Sequence, residues 1–277
     1  MNLIRKYSLS AMLLLTVLSA KAQDFTEVAG FFYHTDEPKV TIPYVAATLE
    51  PDSIPADPEA YVEPLVVRLD AVDCTTLVEY VTATLLAKAE KPDPQDSLFV
   101  KRLEALRYRN GQRGNYATRK HYFSEWISDA ERHGLMREVT PMLKGSRPLD
   151  KAINFMSRNV KYYPQLQACR ILLSEVRRVE AELSHKSLSY IPSAQISQCY
   201  DQLQHGDIVA FVTDKPGLDI QHVGFVWCPD PEQHAPQLFH ASSALKQVTL
   251  DPTTLQDYAL RAKNCIGIRV IRLRRSK

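Results

Sequence analysis

Residues 69–81, Leu-Asp-Ala-Val-Asp-Cys-Thr-Thr-Leu-Val-Glu-Tyr-Val, join a short apolar segment to the start of a helix. A helix is predicted because apolar side chains recur at a spacing of three to four, at Leu77, Val78, Val81, Leu85 and Leu86. Asp73 or Thr75 can cap it, which would place Cys74 in the first turn. Unpaired N–H groups there favour a thiolate, the nucleophilic form of cysteine. Cys74 is therefore a candidate nucleophile, although an isolated cysteine is more often a small buried core residue.

Residues 1–22 have the pattern of a secretory signal peptide. Arg5 and Lys6 precede an apolar run at 9–18, and Ala-Lys-Ala at 20–22 fits a small-x-small cleavage site. No later apolar run approaches the roughly 20 residues that a spanning helix needs. We therefore expect an exported protein without a membrane span.

Composition excludes several classes of function. A net charge of +2 over 277 residues gives no reason to expect nucleic acid or a membrane surface as partner. The chain has no Cys-x-x-Cys metal spacing and no Gly-rich phosphate loop, so neither a metal nor a cofactor is expected. Five cysteines follow residue 22, and an odd number in an oxidising compartment indicates at least one free thiol. Two disulfides among the other four, or five unpaired core residues, are both compatible with the sequence.

The mature chain, residues 23–277, divides into three parts. Residues 23–66 are rich in proline, which predicts an extended N-terminal arm that could line a cleft, or else a poorly ordered leader. Residues 97–190 form a predicted helical insertion, with helices at 97–107, 118–134, 149–160 and 166–183. Residues 203–273 predict a small antiparallel sheet, with strands at 206–212, 222–227, 237–242 and 266–273. Helices first and strands later indicate a single α+β domain.

Two histidines fall in predicted strands. His222 and His240 are 18 residues apart, a distance typical of a hairpin, and on adjacent strands their rings could be neighbours on one face. Each histidine alone is more often structural or exposed. A thiolate at a helix start facing a strand-borne imidazole is, however, the arrangement of cysteine hydrolases. The order Cys74, His222, His240 therefore indicates a nucleophile, a base and an orienting third group.

His121 and Trp126 lie in an aromatic stripe at helical spacing, which usually marks a core. Polar groups beside large rings also suit the wall of a sugar-binding cleft. Both interpretations stay open.

Several motifs resemble a known superfamily. Residues 73–79, Asp-Cys-Thr-Thr-Leu-Val-Glu, resemble the nucleophile motif of the NlpC-type papain-like cell-wall hydrolases, although Thr-Thr replaces the usual Ser-Gly after the cysteine. The Gly-Asp motif of the same superfamily resembles residues 203–209. Its histidine motif resembles residues 221–226, and its third-residue motif resembles residues 238–243. More narrowly, residues 119–127 and 217–222 are similar to the N-acetylmuramoyl-L-alanine amidase-like family.

The resemblance implies a papain-like (NlpC-type) α+β fold, in which the nucleophile helix packs on a small antiparallel sheet. It implies Cys74 as nucleophile, His222 as base and His240 as the orienting residue. The candidate substrate-binding residues are Asp73, Arg119, His121, Tyr122, Trp126 and Asp219.

The implied function is cleavage of an amide in peptidoglycan or a muropeptide, as an N-acetylmuramoyl-L-alanine amidase in the periplasm. Three alternatives stay open: a stem-peptide endopeptidase of the same chemistry, a zinc hydrolase with Cys and His ligands, and a non-catalytic glycan-binding module.

Overall fold

The computed structural model describes residues 25–32, 57–68, 71–91, 94, 96–229 and 235–274. The predicted signal peptide at 1–22 and residues 33–56 of the predicted N-terminal arm lie outside these residues. Within the described ranges, no helix is both long enough and apolar enough to cross a bilayer.

Most of the described helices precede residue 185, and most of the described strands follow it. The described helices are α1 (Phe25–Gly30), α2 (Cys74–Glu90), α3 (Asp96–Arg107), α4 (Phe123–Arg132), α5 (Phe155–Arg158), α6 (Pro164–Ala168), α7 (Arg170–Ser184) and α8 (Leu255–Arg261). The described strands are β1 (Met136–Glu138), β2 (Arg147–Leu149), β3 (Leu188–Pro192), β4 (Ile208–Thr213), β5 (Ile220–Trp227), β6 (Gln237–Ser242), β7 (Gln247–Thr254) and β8 (Cys265–Leu273).

These strands form one antiparallel sheet in the order β2-β3-β8-β4-β5-β6-β7. β1 and β3 share the same edge of β8, where β1 pairs near Leu273 and β3 pairs near Gly267. β4 lies between β5 and β8, and all of its residues are buried, which explains its continuous apolar sequence. The combination of helices with an antiparallel sheet confirms the predicted α+β class.

Helix α2 packs against β5 and β6 on one side and is covered by α1 and α3 on the others. Leu77, Val78 and Val81 enter the same core as Val223 and Phe239. Each such side chain contributes about 1.5–3 kcal/mol when it is fully buried. A helix that is apolar on most sides must be buried on most sides, so α2 occupies the centre of this half of the molecule.

The predicted helices and strands are confirmed in part. The helix predicted at 149–160 shortens to α5, and the one predicted at 166–183 is broken at Cys169 into α6 and α7. Three short strands, β1, β2 and β3, fall within or at the end of the predicted helical insertion. Residues 247–261, for which no structure was predicted, form β7 and α8.

The N-terminal arm packs against the body where it is described. Residues 57–60 form a turn and residues 61–68 have no regular secondary structure, and the Glu63 N–H donates to the carbonyl of Gly114 at 2.9 Å. The Arg107 guanidinium donates to the carbonyl of Val66 at 2.8 Å. Residues 25–30 depart from the prediction and form helix α1, because Phe25, Val28 and Ala29 bury one face in the core.

A reciprocal capping box begins α2. The Asp73 carboxylate accepts a hydrogen bond from the Thr76 N–H at 2.7 Å, and the Thr76 hydroxyl accepts one from the Asp73 N–H at 2.8 Å. Two donors that a helix start would leave unpaired are therefore satisfied. Of the two candidate caps, the structure selects Asp73.

We expect Thr76→Val to lower the free energy of unfolding by about 1 kcal/mol, because the hydroxyl is lost and the Asp73 N–H keeps no acceptor. Thr76→Ser retains the hydroxyl and is the matched control. Urea denaturation of both variants measures the difference. Equal stability of the two variants would contradict a role for the capping box.

Candidate active site

Cys74 is the first residue of α2 and is half-buried. Its sulfur accepts hydrogen bonds from the backbone N–H of Val223 on β5 and from Thr75. The start of the helix is therefore held directly against the strand that carries His222.

His222 and His240 form a hydrogen-bonded pair. The His222 Nε2 and His240 Nδ1 atoms are 2.7 Å apart, and the two rings meet edge to face at 88°. A Cβ on Gly224 would lie 2.7 Å from the Phe239 carbonyl oxygen and 3.0 Å from the His240 Cβ, so only glycine permits this approach of β5 and β6. The prediction that the two imidazoles are neighbours is confirmed. The pairing leaves Nδ1 of His222 for another partner.

Cys74 and His222 line the same open cleft, which has a volume of about 120 Å³. Its other wall comes from the start of α4 and from the loop that precedes β5. The sequence-predicted residues in that wall are His121, Tyr122, Trp126 and Asp219. The structure thus brings four of the six candidate substrate-binding residues to the cleft that holds the sulfur.

Both histidines are neutral at pH 7. Burial, with a smaller contribution from His240, lowers the pKa of His222 from 6.5 to about 3. Burial also lowers the pKa of His240 to about 4, where the Asp251 carboxylate opposes the shift and Arg261 adds to it. A neutral imidazole can accept a proton, as a general base must.

The pKa of the Cys74 thiol is raised, whereas a position at a helix start was expected to lower it. Burial, followed by the Asp73 carboxylate, raises the pKa of Cys74 from 9.0 to about 11. The hydrogen bonds from Val223 and Thr75 oppose this shift but do not reverse it. The resting site therefore holds a thiol and a neutral imidazole rather than an ion pair.

Asp73 and Asp219 are both helix caps. Asp73 is part of the capping box of α2, and the buried Asp219 carboxylate accepts from the Ser124 N–H of α4 at 2.7 Å. The Ser124 hydroxyl in turn accepts from Arg269 at 2.6 Å. Arg269 is buried and forms two 2.8 Å hydrogen bonds with Glu138. Asp219 thus connects the loop before β5 to α4 and to the sheet.

His121 and Tyr122 are held by the helical part of the chain. The His121 Nε2 donates to the Tyr116 carbonyl at 2.8 Å, and burial lowers the pKa of His121 to about 3. The Tyr122 hydroxyl donates to Glu180 at 2.6 Å and accepts from the Met156 N–H at 2.9 Å. These bonds make the pair a rigid part of the cleft wall.

Trp126 stacks on Phe123 with ring centroids 4.7 Å apart and is 2% exposed. It lines the cleft and belongs to the hydrophobic core at the same time. The two interpretations of the aromatic stripe, core and cleft wall, therefore apply together.

Arg119 is not among the cleft-lining residues. Its guanidinium lies 3.2 Å from the Glu63 carboxylate and 5.1 Å from the centre of the Tyr116 ring. Arg119 thus fastens the N-terminal arm to the helical part of the chain.

Tyr258 and Asp251 surround the histidine pair but were not predicted from the sequence. The Tyr258 ring contacts both imidazoles, and Asp251 lies close enough to His240 to influence its charge. Residues 247–261 showed no recognised motif, so no signal in the sequence identified them.

All five cysteines are unpaired in the structure, including the half-buried Cys169 and Cys265. The described His, Cys, Asp and Glu side chains form no group of three or more that could hold a metal ion.

The model of one protein family, described as N-acetylmuramoyl-L-alanine amidase-like (AmiA-like), matches residues 40–268. The chain belongs to the N-acetylmuramoyl-L-alanine amidase-like family. No curated protein matches the chain.

Solved structures agree with the family. An N-acetylmuramoyl-L-alanine amidase from Bacteroides uniformis is 32% identical with a TM-score of 0.78, over 91% of this chain and 100% of that one. A second amidase structure from the same organism is 35% identical with a TM-score of 0.74, over 84% and 93% of the two chains. A Bacteroides fragilis protein named provisionally as a xylanase is 32% identical with a TM-score of 0.73, over 85% and 97%.

We expect Asp219→Ala to destabilise the protein by about 1–2 kcal/mol, because the Ser124 N–H then loses its cap. Asp219→Asn preserves an acceptor and should remain close to wild type in thermal unfolding. Unchanged stability of Asp219→Ala would contradict the capping role, and a raised KM in Asp219→Asn at wild-type stability would show that the carboxylate also contacts substrate.

We also expect the free energy of unfolding to fall as the pH is lowered from about 7 to about 4. The unfolded chain protonates its histidines near pH 6.5, whereas His222 and His240 in the folded protein resist protonation until pH about 3 and about 4. Urea denaturation at several pH values measures the slope, and His240→Gln should show a shallower one. Identical slopes would show that the pair does not carry the effect.

Proposed function

We propose that this chain is an exported cysteine amidase that hydrolyses the bond between N-acetylmuramic acid and L-alanine in peptidoglycan. Family membership supports a peptidoglycan amidase at the level of the family. The observation that carries the cysteine mechanism is that Cys74 and His222 open on one cleft, with His240 bonded behind His222. Export is proposed from the signal-peptide pattern at residues 1–22.

A papain-like core is proposed on the same geometry. The nucleophile lies at the start of α2, and α2 packs on β5 and β6, which carry the two histidines. A thiol on a helix start facing imidazoles on an antiparallel sheet is the arrangement that the NlpC-type resemblance implies.

The first step follows from the charge states. His222 pairs through Nε2 with His240, so its Nδ1 accepts the thiol proton while the sulfur attacks the amide carbonyl. Because the Cys74 thiol has a pKa of about 11, the proton moves during the attack and not before it. The His222 Nε2–H donates to His240 Nδ1 and thereby stabilises the imidazolium that forms.

The second half of the reaction returns the proton. The His222 imidazolium protonates the leaving nitrogen of L-alanine, and the muramoyl group stays on the sulfur as a thioester. His222 then removes a proton from water, which attacks the thioester and releases the acid and the thiol.

The start of α2 also offers an oxyanion donor. Asp73 already accepts from the N–H groups of Thr76 and Leu77, at 2.7 and 2.9 Å. The N–H of Cys74 takes part in neither bond and points from the same helix start, where donors favour negative charge. We propose it as the donor for the tetrahedral intermediate.

The cleft favours amide chemistry over glycoside hydrolysis, which the name of the Bacteroides fragilis protein suggests for that protein. Glycosidases require two carboxyl groups on either side of one bond. Among the described residues that line the cleft, Asp219 supplies one carboxylate, and that carboxylate caps α4.

We expect Cys74→Ala to lower the turnover of purified muropeptides by about 10³-fold or more while thermal unfolding stays unchanged. Cys169→Ala, which alters another half-buried cysteine, is the control and should remain active.

Mass spectrometry of the products also separates the alternatives. An amidase releases intact stem peptide from the sugar, an endopeptidase leaves a shortened peptide on it, and a binding module releases nothing. Cleavage by Cys74→Ala would rule out the cysteine mechanism. A zinc hydrolase would instead be inhibited by a metal chelator and not by a thiol-alkylating reagent.

A further inference from the structure

Tyr258 on α8 contacts both imidazoles of the histidine pair. Its ring centre lies 6.0 Å from that of His222 with the planes at 30°, and 5.2 Å from that of His240 at 75°. One aromatic ring therefore packs in a tilted contact with one imidazole and edge to face with the other.

A second ring also packs against His222. Phe211 on β4 lies 5.8 Å from His222 at 36° and 5.0 Å from Tyr258. The rings of Phe211 and Tyr258 thus both pack against the His222 imidazole, with their planes at 36° and 30° to it. Rotation of the imidazole about its Cβ–Cγ bond would bring it into contact with one of them.

Helix α8 holds Tyr258 in place. The Thr254 hydroxyl accepts from the Asp257 N–H at 3.2 Å and caps the helix, and the buried Leu255 donates its N–H to the Pro236 carbonyl at 2.7 Å. The Gln256 N–H donates to the Tyr200 hydroxyl at 3.0 Å. Three bonds within three residues fix the first turn of this short helix against its surroundings.

An ion pair also lies beside Tyr258. The Arg261 guanidinium lies 5.0 Å from the centre of the Tyr258 ring and pairs with the Asp251 carboxylate of β7. Asp251 also accepts from the Thr253 N–H and hydroxyl. The Tyr258 ring therefore contacts both the histidine pair and the cation of a charge pair, and both contacts restrain it.

We propose that Tyr258 is a positioning residue, whose ring fixes the His222 imidazole toward the Cys74 sulfur and keeps water away from the histidine pair. This inference rests on the proposed function. The ring, rather than the hydroxyl, makes the contacts described. Removal of the ring opens one face of both imidazoles to solvent, which lets His222 rotate and favours its charged form.

Other charged or titratable groups also surround the pair. Cys74 faces it from α2, Asp251 from β7 and Arg261 from α8, whereas β4 contributes the uncharged Phe211. Arg261 also contacts the Tyr258 ring, and it acts with Asp251 on the charge of His240 but not of His222. A change in the protonation of His222 after substitution of Tyr258 therefore reports solvent entry at the pair.

The test compares Tyr258→Phe, Tyr258→Leu and Tyr258→Ala by titration of the imidazole proton signals in NMR, which needs no substrate. We expect Tyr258→Phe to match wild type. We expect the leucine and alanine variants to show an upward shift of about one pH unit for His222. In muropeptide hydrolysis the same two variants should lose about tenfold in kcat with little change in KM, and the acid limb of the rate profile should move to higher pH.

Two results would overturn the proposal. One is an unchanged His222 titration and an unchanged kcat in folded Tyr258→Leu. This variant keeps apolar volume without a ring, so it remains informative if Tyr258→Ala does not fold. The other is an equal loss in Tyr258→Phe, which would assign the effect to the hydroxyl. If wild type does not cleave muropeptides, the proposed function fails, and the titration still decides the role of Tyr258.

Discussion

The site depends on one contact, that between the start of α2 and the middle of β5. The Val223 N–H donates to the Cys74 sulfur, and the neighbouring His222 lies in the same cleft. The capping box at Asp73 fixes where the helix begins, and the apolar side chains of α2 fix how it lies on the sheet. A shift of either element would separate the Cys74 sulfur from the His222 imidazole.

A short segment, residues 219–224, organises both walls of the cleft. Its first residue, Asp219, caps α4 and thereby places the wall that carries His121 and Trp126. Its last residue, Gly224, admits β6 close enough for His240 to bond His222. One segment thus contacts Cys74, carries His222, admits His240 and holds the opposite wall, which makes their geometry interdependent.

Burial determines the electrostatics of the site. It lowers the pKa of both histidines and raises the pKa of the thiol, so the resting groups are uncharged. A site of this kind holds no preformed ion pair to desolvate, so in the proposed mechanism charge develops only as the sulfur attacks. In that mechanism, the ring of Tyr258 and the hydrogen bond between His222 and His240 act on the imidazolium as it forms.

The sequence alone determined the features set by local pattern: helix α2 with two candidate caps, the four main strands, and the order of Cys74, His222 and His240. Periodicity and capping act over a few residues, so they can be read without coordinates. The tertiary structure alone decided which candidate caps α2, the contacts of Asp219, Arg119 and Tyr258, and the direction of the pKa shift at Cys74. These depend on which distant segments meet and on how far they exclude water, because hydrogen bonds, ring contacts and desolvation act through space rather than along the chain.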